Sequence, residues 1–378
     1  MKNLLCLLLL LKFGGSYGQT KQILTDEAKL NRCIAQNTSY FNFNGEEGPI
    51  GKGWDLLTNL FKENQFVAWG EYHNSPLLAQ LTSYALESAS KSGYRSFCVE
   101  TSPFVAAELM RISQSAAPAD TLLKIFKNGY PDIGSFPFFK SKEDAKMLTT
   151  VKKFNYTIWG IDQEFQMNFS YSMNKVYHSQ SSRFKQQFKK VYDSLQARWW
   201  YPDTKLLDSL KSRIRQKKLK AVLDDIKISK EIYRNNDNEA RAVLMKKNFF
   251  NYYNHSKNNK VFFKLGSNHL AKGINLLTNV YDIGNAVYEL SQRNQTKFAN
   301  VYLMVRYTTE KGVRVDDLNT TANENPKVFS KLYDKEKWVL VDVRKMRTIL
   351  NYDESLTVDT YKLLEKYDYV LISPEIMN

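Results

Sequence analysis

Histidine is nearly absent from this chain, with four in 378 residues. Cysteine is scarcer still, with three, and none stands in a CxxC pair. HExxH is missing too, so no closed zinc site is written locally. The glycine-rich GxGxxG and P-loop patterns are absent, which removes the usual local signs of dinucleotide or nucleotide binding. No internal repeat is present, so a solenoid or propeller is excluded. Apolar runs are short. The longest, Leu4–Leu11, falls well below bilayer-spanning length.

That run follows Lys2 and precedes the small residues Gly14, Gly15, Ser16 and Gly18. The pattern predicts a secretory signal peptide over residues 1–18, cut near Gly18, with a signal-anchor as the alternative. Cys6 lies inside the apolar run, a poor place for a lipid anchor. The mature chain then has no transmembrane segment and is expected to be periplasmic or secreted. Cleavage removes Lys2 and Lys12 and no acid, so net charge falls from +15 to +13. A basic chain invites thoughts of nucleic acid. Export argues against that partner, and so does the mixing of bases with acids in "SRIRQKKLKAVLDDIKISKEIYR", which reads as a solvated helical face. Cys33 and Cys98 survive cleavage. Cys98 sits in the strand-like "RSFCVE", where a buried free thiol is the commoner state, so no disulfide is expected.

What is present is organised as alternating strands and helices. "GWDLLTNLFKEN" predicts a short amphipathic helix, after polar, weakly helical residues 20–40. "QFVAWG" predicts a buried strand. A helix follows, with Asn74 or Ser75 as cap, Pro76 in its first turn and Gly93 at its end. "YRSFCVE" and then a helix capped by Ser102 before Pro103 repeat the unit. "YTIWGID", "KVFFKLGSNH", "FANVYLMVRY", "KWVLVDVR" and "YDYVLISP" supply further strands, with "LAKGINLLTNV" expected as a helix. Residues of about 170–256 carry helical patterns only and read as an insertion. The fold class is therefore α/β: a mostly parallel, mixed sheet with helices on both faces and a helical insertion. The Gly/Pro/aromatic loop 129–139 is expected over the site.

Four strands end alike, in Gly70-Glu71-Tyr72-His73, Glu100, Gly160-Ile161-Asp162-Gln163-Glu164 and Gly266-Ser267-Asn268-His269. In an open parallel sheet, ligands bind beyond the carboxyl ends of the strands. Residues distant in sequence thus converge there. Such a cluster suits a neutral imidazole that takes a proton from water while a carboxylate holds its tautomer. It equally suits two histidines and two carboxylates holding a divalent cation. Each residue alone has a plainer reading. Glu71, Glu100 or Asp162 can cap a following helix, and His269 can be structural. Recurrence at four strand ends favours a site. His178 and His255 lie in polar helical surroundings and read as surface residues.

At these residues the chain resembles the superfamily of erythromycin esterase-like, ChaN-like and Tiki-like proteins. "GEYHNSPLLAQL" is similar to its first-strand Gly-Glu-x-His signature, with the spacing of the ChaN side. "FCVETSPF", "WGIDQEF", "EARAVLMKKNFFNYY" (with Arg241, Met245 and Asn248) and "FFKLGSNHLAKG" resemble the esterase branch, as do the closing strands. The likeness runs in short motifs from about Gln65 to Pro374. It implies hydrolysis of an ester, lactone or amide in a small molecule or peptide, without a required cofactor. His73 would be the general base and Glu71 its orienting carboxylate, with His269 and Glu100 completing the catalytic set. Asp162, Glu164, Asn268 and Arg241 would bind substrate. The first helix lacks the arginines of the esterases, having Gln80 and no base until Lys91, so the resemblance does not extend to macrolide specificity. The ChaN-like alternative implies haem, with Tyr72, His73 or His269 as axial ligand. The Tiki-like alternative implies a metal-dependent peptidase, with metal on His73, His269, Glu71 and Glu100.

Overall fold

The computed structural model describes residues 26–71, 73, 75–127, 136–139, 141–164, 166–198, 202–310, 313–316, 327–348 and 358–374. The expected signal peptide and its cleavage point lie outside the described residues.

Among the described residues ten strands are formed: β1 (Thr38–Asn42), β2 (Phe66–Glu71), β3 (Ser96–Val99), β4 (Thr157–Gly160), β5 (Val261–Gly266), β6 (Phe298–Met304), β7 (Tyr307–Glu310), β8 (Val313–Asp316), β9 (Lys337–Asp342) and β10 (Tyr369–Ile372). Eight make one sheet in the order β1-β9-β10-β6-β2-β5-β3-β4, and β7 pairs with β8 separately. From β10 to β4 every pairing is parallel, while β9 runs antiparallel to both its neighbours. The mixed, mostly parallel α/β sheet is thus the observed fold class.

Parallel strands need helical crossovers, and these cover both faces. Period-two alternation sends Val67, Trp69, Phe97 and Phe262 to one face, against the helices Lys52–Glu63, Pro76–Lys91, Pro103–Ser113 and Lys142–Lys153. It sends Phe66, Ala68, Cys98 and Phe263 to the other, against Asp26–Gln36, Asn238–His255, Ile283–Arg293 and Val358–Lys366. Burial of each such large side chain stabilises by about 1.5–3 kcal/mol. Two crossover helices start where expected. Ser75 Oγ accepts from Leu78 N–H at 3.3 Å and Ser102 Oγ from Val105 N–H at 3.1 Å, each with a proline next in line.

Between β4 and β5 lie the helices Gln166–His178, Ser182–Ala197, Thr204–Arg213, Lys217–Asn235 and Asn238–His255. The first four share their own core, with Phe169, Met173, Leu195, Leu207 and Leu223. Their basic face is solvated and laced with ion pairs such as Lys227–Asp208 at 2.6 Å. His178 and His255 are exposed, and Cys33 and Cys98 are free and buried.

Within residues 20–40 the weak helical pattern forms the helix Asp26–Gln36, and β1 follows as an edge strand whose side chains alternate in burial. One expectation is corrected. "LAKGINLLTNV" is not a helix. A 3-10 turn, Ser267–Leu270, gives way to an irregular loop, and the next helix starts only at Ile283. Gly273 and Asn279 both take positive φ, at 74° and 54°. Asn268 Oδ1 accepts from the N–H groups of Leu276 and Leu277, both at 3.0 Å, which replaces helical pairing there.

Gly160 closes β4 against the helix Pro103–Ser113. A Cβ there would overlap the carbonyl oxygen of Ser102 and stand 2.7 Å from Ala106 Cβ. Gly160→Ala is therefore expected to destabilise the fold by about 1–3 kcal/mol, measured as a lowered urea midpoint at unchanged slope.

Candidate active site

Strands β2, β5, β3 and β4 are neighbours and point the same way. After β2 the chain proceeds to β3 on one side, and after β5 to β6 on the other side of β2. A crevice opens at such a reversal. It holds a cavity of about 520 Å³ lined by His73, Glu100, Arg241, Asn268, His269 and Tyr302, among others.

Glu100 lies at the floor, buried. Its Oε2 accepts the Gly266 N–H at 2.6 Å, and its Oε1 accepts from Arg241 Nη2 at 3.0 Å. His269 Nε2 stands 3.5 Å from Oε1 and His73 Nε2 4.0 Å from Oε2. Glycine at 266 suits this approach, because a Cβ would stand 3.2 Å from Glu100 Oε2 and 3.3 Å from His73 Nε2, close enough to press on both. Arg241 also forks onto Asp162, with Nε 3.0 Å from Oδ1 and Nη2 on Oδ2. Burial would raise the pKa of Glu100. The two imidazoles, His269 before His73, and then Arg241 outweigh it and hold the carboxyl well below its usual range.

The two histidines are tuned in opposite directions. His73 Nδ1 lies 3.0 Å from Glu71 Oε1, and Glu71 Oε2 pairs with the buried ammonium of Lys264. An ionised Glu71 only accepts, so Nδ1 carries the proton and the Nε2 lone pair faces the cleft. Burial lowers the pKa of His73, and the cations of His269 and Arg241 add to that, against the pull of Glu100. His269 donates from Nδ1 to Asp282 Oδ2 at 2.7 Å. Burial works against its charge, yet Glu100 and Asp282 together raise its pKa to about 10. At neutral pH the cleft thus sets a neutral imidazole beside an imidazolium. Phe138, from the part of loop 129–139 that is described, stacks on His73 with ring centroids 3.8 Å apart.

Of the residues anticipated from sequence, Glu71, His73, Glu100, Arg241, Asn268 and His269 meet at this cleft. Asp162 lies fully buried behind Arg241, where it can position the guanidinium but not touch a substrate. Glu164 is turned away altogether. Asn168 and Ser172 donate to its Oε1 in a buried knot under the helix Gln166–His178, and burial raises its pKa to about 7. It does not line the cavity, because the helix after β4 draws the carboxylate inward. Asn268 spends its side-chain oxygen on the loop beyond it. Tyr72 lies outside the described residues.

Two residues went unnoticed in the sequence. Lys264 is a lone lysine in an otherwise apolar strand, paired with Glu71, and burial pulls its pKa down to about 7. That isolation was a readable signal. Asp282 reads as a helix cap and is one, accepting from Ile283 N–H at 2.8 Å. Its second oxygen, on His269, was not legible.

No family model matches the chain, and no curated protein does. Solved structures do. A protein from Bacillus cereus is similar at 14% identity with a TM-score of 0.54, over 93% of this chain and 98% of that one. A point mutant of the erythromycin esterase EreC in its open conformation is similar at 13% identity, TM-score 0.56, over 86% and 94%. A succinoglycan biosynthesis protein is similar at 15% identity, TM-score 0.53, over 92% and 97%. At such identities the likeness shows the fold alone.

Opposed titration has a measurable sign. A histidine whose folded pKa is raised contributes stability that is complete below its unfolded value of about 6.5 and is lost as pH climbs toward about 10. Stability is therefore expected to decline across that window, and Asp282→Asn to shrink the decline. Ring-nitrogen NMR at pH 8 is expected to show imidazolium at His269 and the neutral Nδ1–H tautomer at His73.

Proposed function

We propose that the cleft prepares water for attack on an ester, lactone or amide, and that Glu71, His73 and Glu100 are where it does so. The observation that carries this reading is their convergence: one ligand atom from each lies within 4.8 Å of the others. The fold is shared with an erythromycin esterase, which supports a hydrolase at the level of fold only.

Two versions of the chemistry fit these residues. In the first, a divalent cation is held by Glu71, His73 and Glu100. One imidazole and two carboxylates suit such an ion, and the compact cluster gives this version the more direct geometric support. When bound, the ion would supply Lewis acidity, acidifying water and polarising a carbonyl. Lys264 and Arg241 would fix the carboxylates that hold it. In the second, His73 Nε2 takes the proton from water directly. Glu71 then steadies the imidazolium, and the imidazolium of His269, only loosely held to Glu100, donates to the developing oxyanion. Haem has weaker support. Both ring nitrogens of His269 face carboxylates, and His73 is held between Glu71 and the stacked ring of Phe138. Export, expected from residues 1–18, belongs to this proposal. Among the described residues no helix is long and apolar enough to cross a membrane.

A panel of p-nitrophenyl and lactone esters is expected to reveal turnover in the wild type. His73→Ala is expected to lower it by about 10²–10⁴-fold with an unchanged far-UV spectrum and melting profile. Equal rates for the two proteins would end the proposal. Metal analysis of chelator-free protein and activity in EDTA separate the versions. Loss in EDTA with recovery on added Mn²⁺ or Zn²⁺ supports the cation, and full retention supports the imidazole.

A further inference from the structure

Large apolar side chains stand exposed in few places among the described residues, and half of those places adjoin one feature. Ile274, Leu277 and Tyr281 are 38, 52 and 57% exposed, all on the loop 274–282. Val243, 55% exposed, lies on the flanking helix Asn238–His255, whose Lys246 donates from Nζ to the Tyr281 carbonyl at 2.8 Å. Ile274 and Tyr281 are bridge partners, so they sit side by side. Leu276, Leu277, Leu363 and Tyr302 line the cavity, with Thr278 and Lys362 among them. The lining thus joins His73, Glu100 and His269 to apolar side chains, and Leu277 both lines the cavity and belongs to the exposed apolar loop.

The loop is tied to the reactive groups. Asn268, next to His269, holds the amides of Leu276 and Leu277 at 3.0 Å. Asp282, at the loop's end, accepts from His269 at 2.7 Å and from Asn275 Nδ2 at 3.3 Å. An apolar surface kept in water without a partner is unfavourable in proportion to its area. Here it is positioned by the same side chains that position His269.

We infer that loop 274–282 is the substrate-selecting element, and that the cleft takes an amphipathic acyl compound whose reactive carbonyl meets His73 and His269 while an extended hydrocarbon body lies along Leu363, Leu276 and Leu277 and out over Tyr281. This rests on the cleft being the working site. An extended body, rather than a compact one, follows from Leu277, which lines the cavity and is exposed on the same loop as Ile274 and Tyr281.

Two measurements test it on the full chain. Dansyl-undecanoate is expected to bind saturably with blue-shifted emission, and Leu277→Asp and Tyr281→Asp each to weaken that binding by at least about tenfold, as loss of several methylene contacts requires. His73→Ala is expected to keep the binding. In the p-nitrophenyl series, kcat/KM is expected to rise at least about tenfold from acetate to octanoate, with the ratio falling toward one in the loop variants. Melting curves confirm that these surface variants fold, and Ile274→Ser serves as a milder third. No probe binding by the wild type, or equal binding by wild type and variants, overturns the inference even if esters are cleaved. Binding that depends on the loop, with no ester cleaved, upholds the inference and removes the hydrolase reading instead.

Discussion

A carboxylate taken out of water must be compensated, and Glu100 shows how completely that requirement shapes this cleft. The side chain is buried at the meeting point of three strand ends. One oxygen takes a backbone N–H from Gly266 and the other a guanidinium from Arg241. Two imidazoles face it from either side. Its neighbours are arranged to match. Gly266 brings its backbone N–H close. Arg241 is steadied by Asp162. His269 is held charged by Glu100 and Asp282. His73 is kept neutral by burial and by the cations of His269 and Arg241, while Glu71, backed by Lys264, accepts from its Nδ1. The arrangement of the cleft follows from solving the solvation of one acid.

The sheet order makes this possible. Placing β5 between β2 and β3 puts the second histidine, nearly two hundred residues away in the chain, beside the first. The helical insertion between β4 and β5 adds Arg241 from its last helix. Its own core stays separate from the two that flank the sheet. The loop after β5 carries exposed apolar side chains and is tied to Asn268 and Asp282, so it shares one scaffold with His269.

Much of this was legible beforehand. The βαβ rhythm, the Ser–Pro helix starts and the polar strand ends are local signals, because each arises from neighbouring residues. Glu71 and His73 could be read together for the same reason. Glu164 misled because two acids follow one strand and sequence does not say which way a turn sends them. Asp162 went to Arg241, and Glu164 went into a buried knot. The apolar "LAKGINLLTNV" misled because a side chain outside it, Asn268, took over its amides.

By itself the sequence determined the alternation of strands and helices, the parallel sheet and the four strand ends at which polar chemistry was to be sought. These depend on periodicity and capping, which operate within a few residues. Only the tertiary structure decided that Lys264 and Asp282 belong to the site, that Glu164 does not, and that the two histidines differ in charge. Burial and the charge of residues distant in sequence set those outcomes, and both come into being only when the chain has closed on itself.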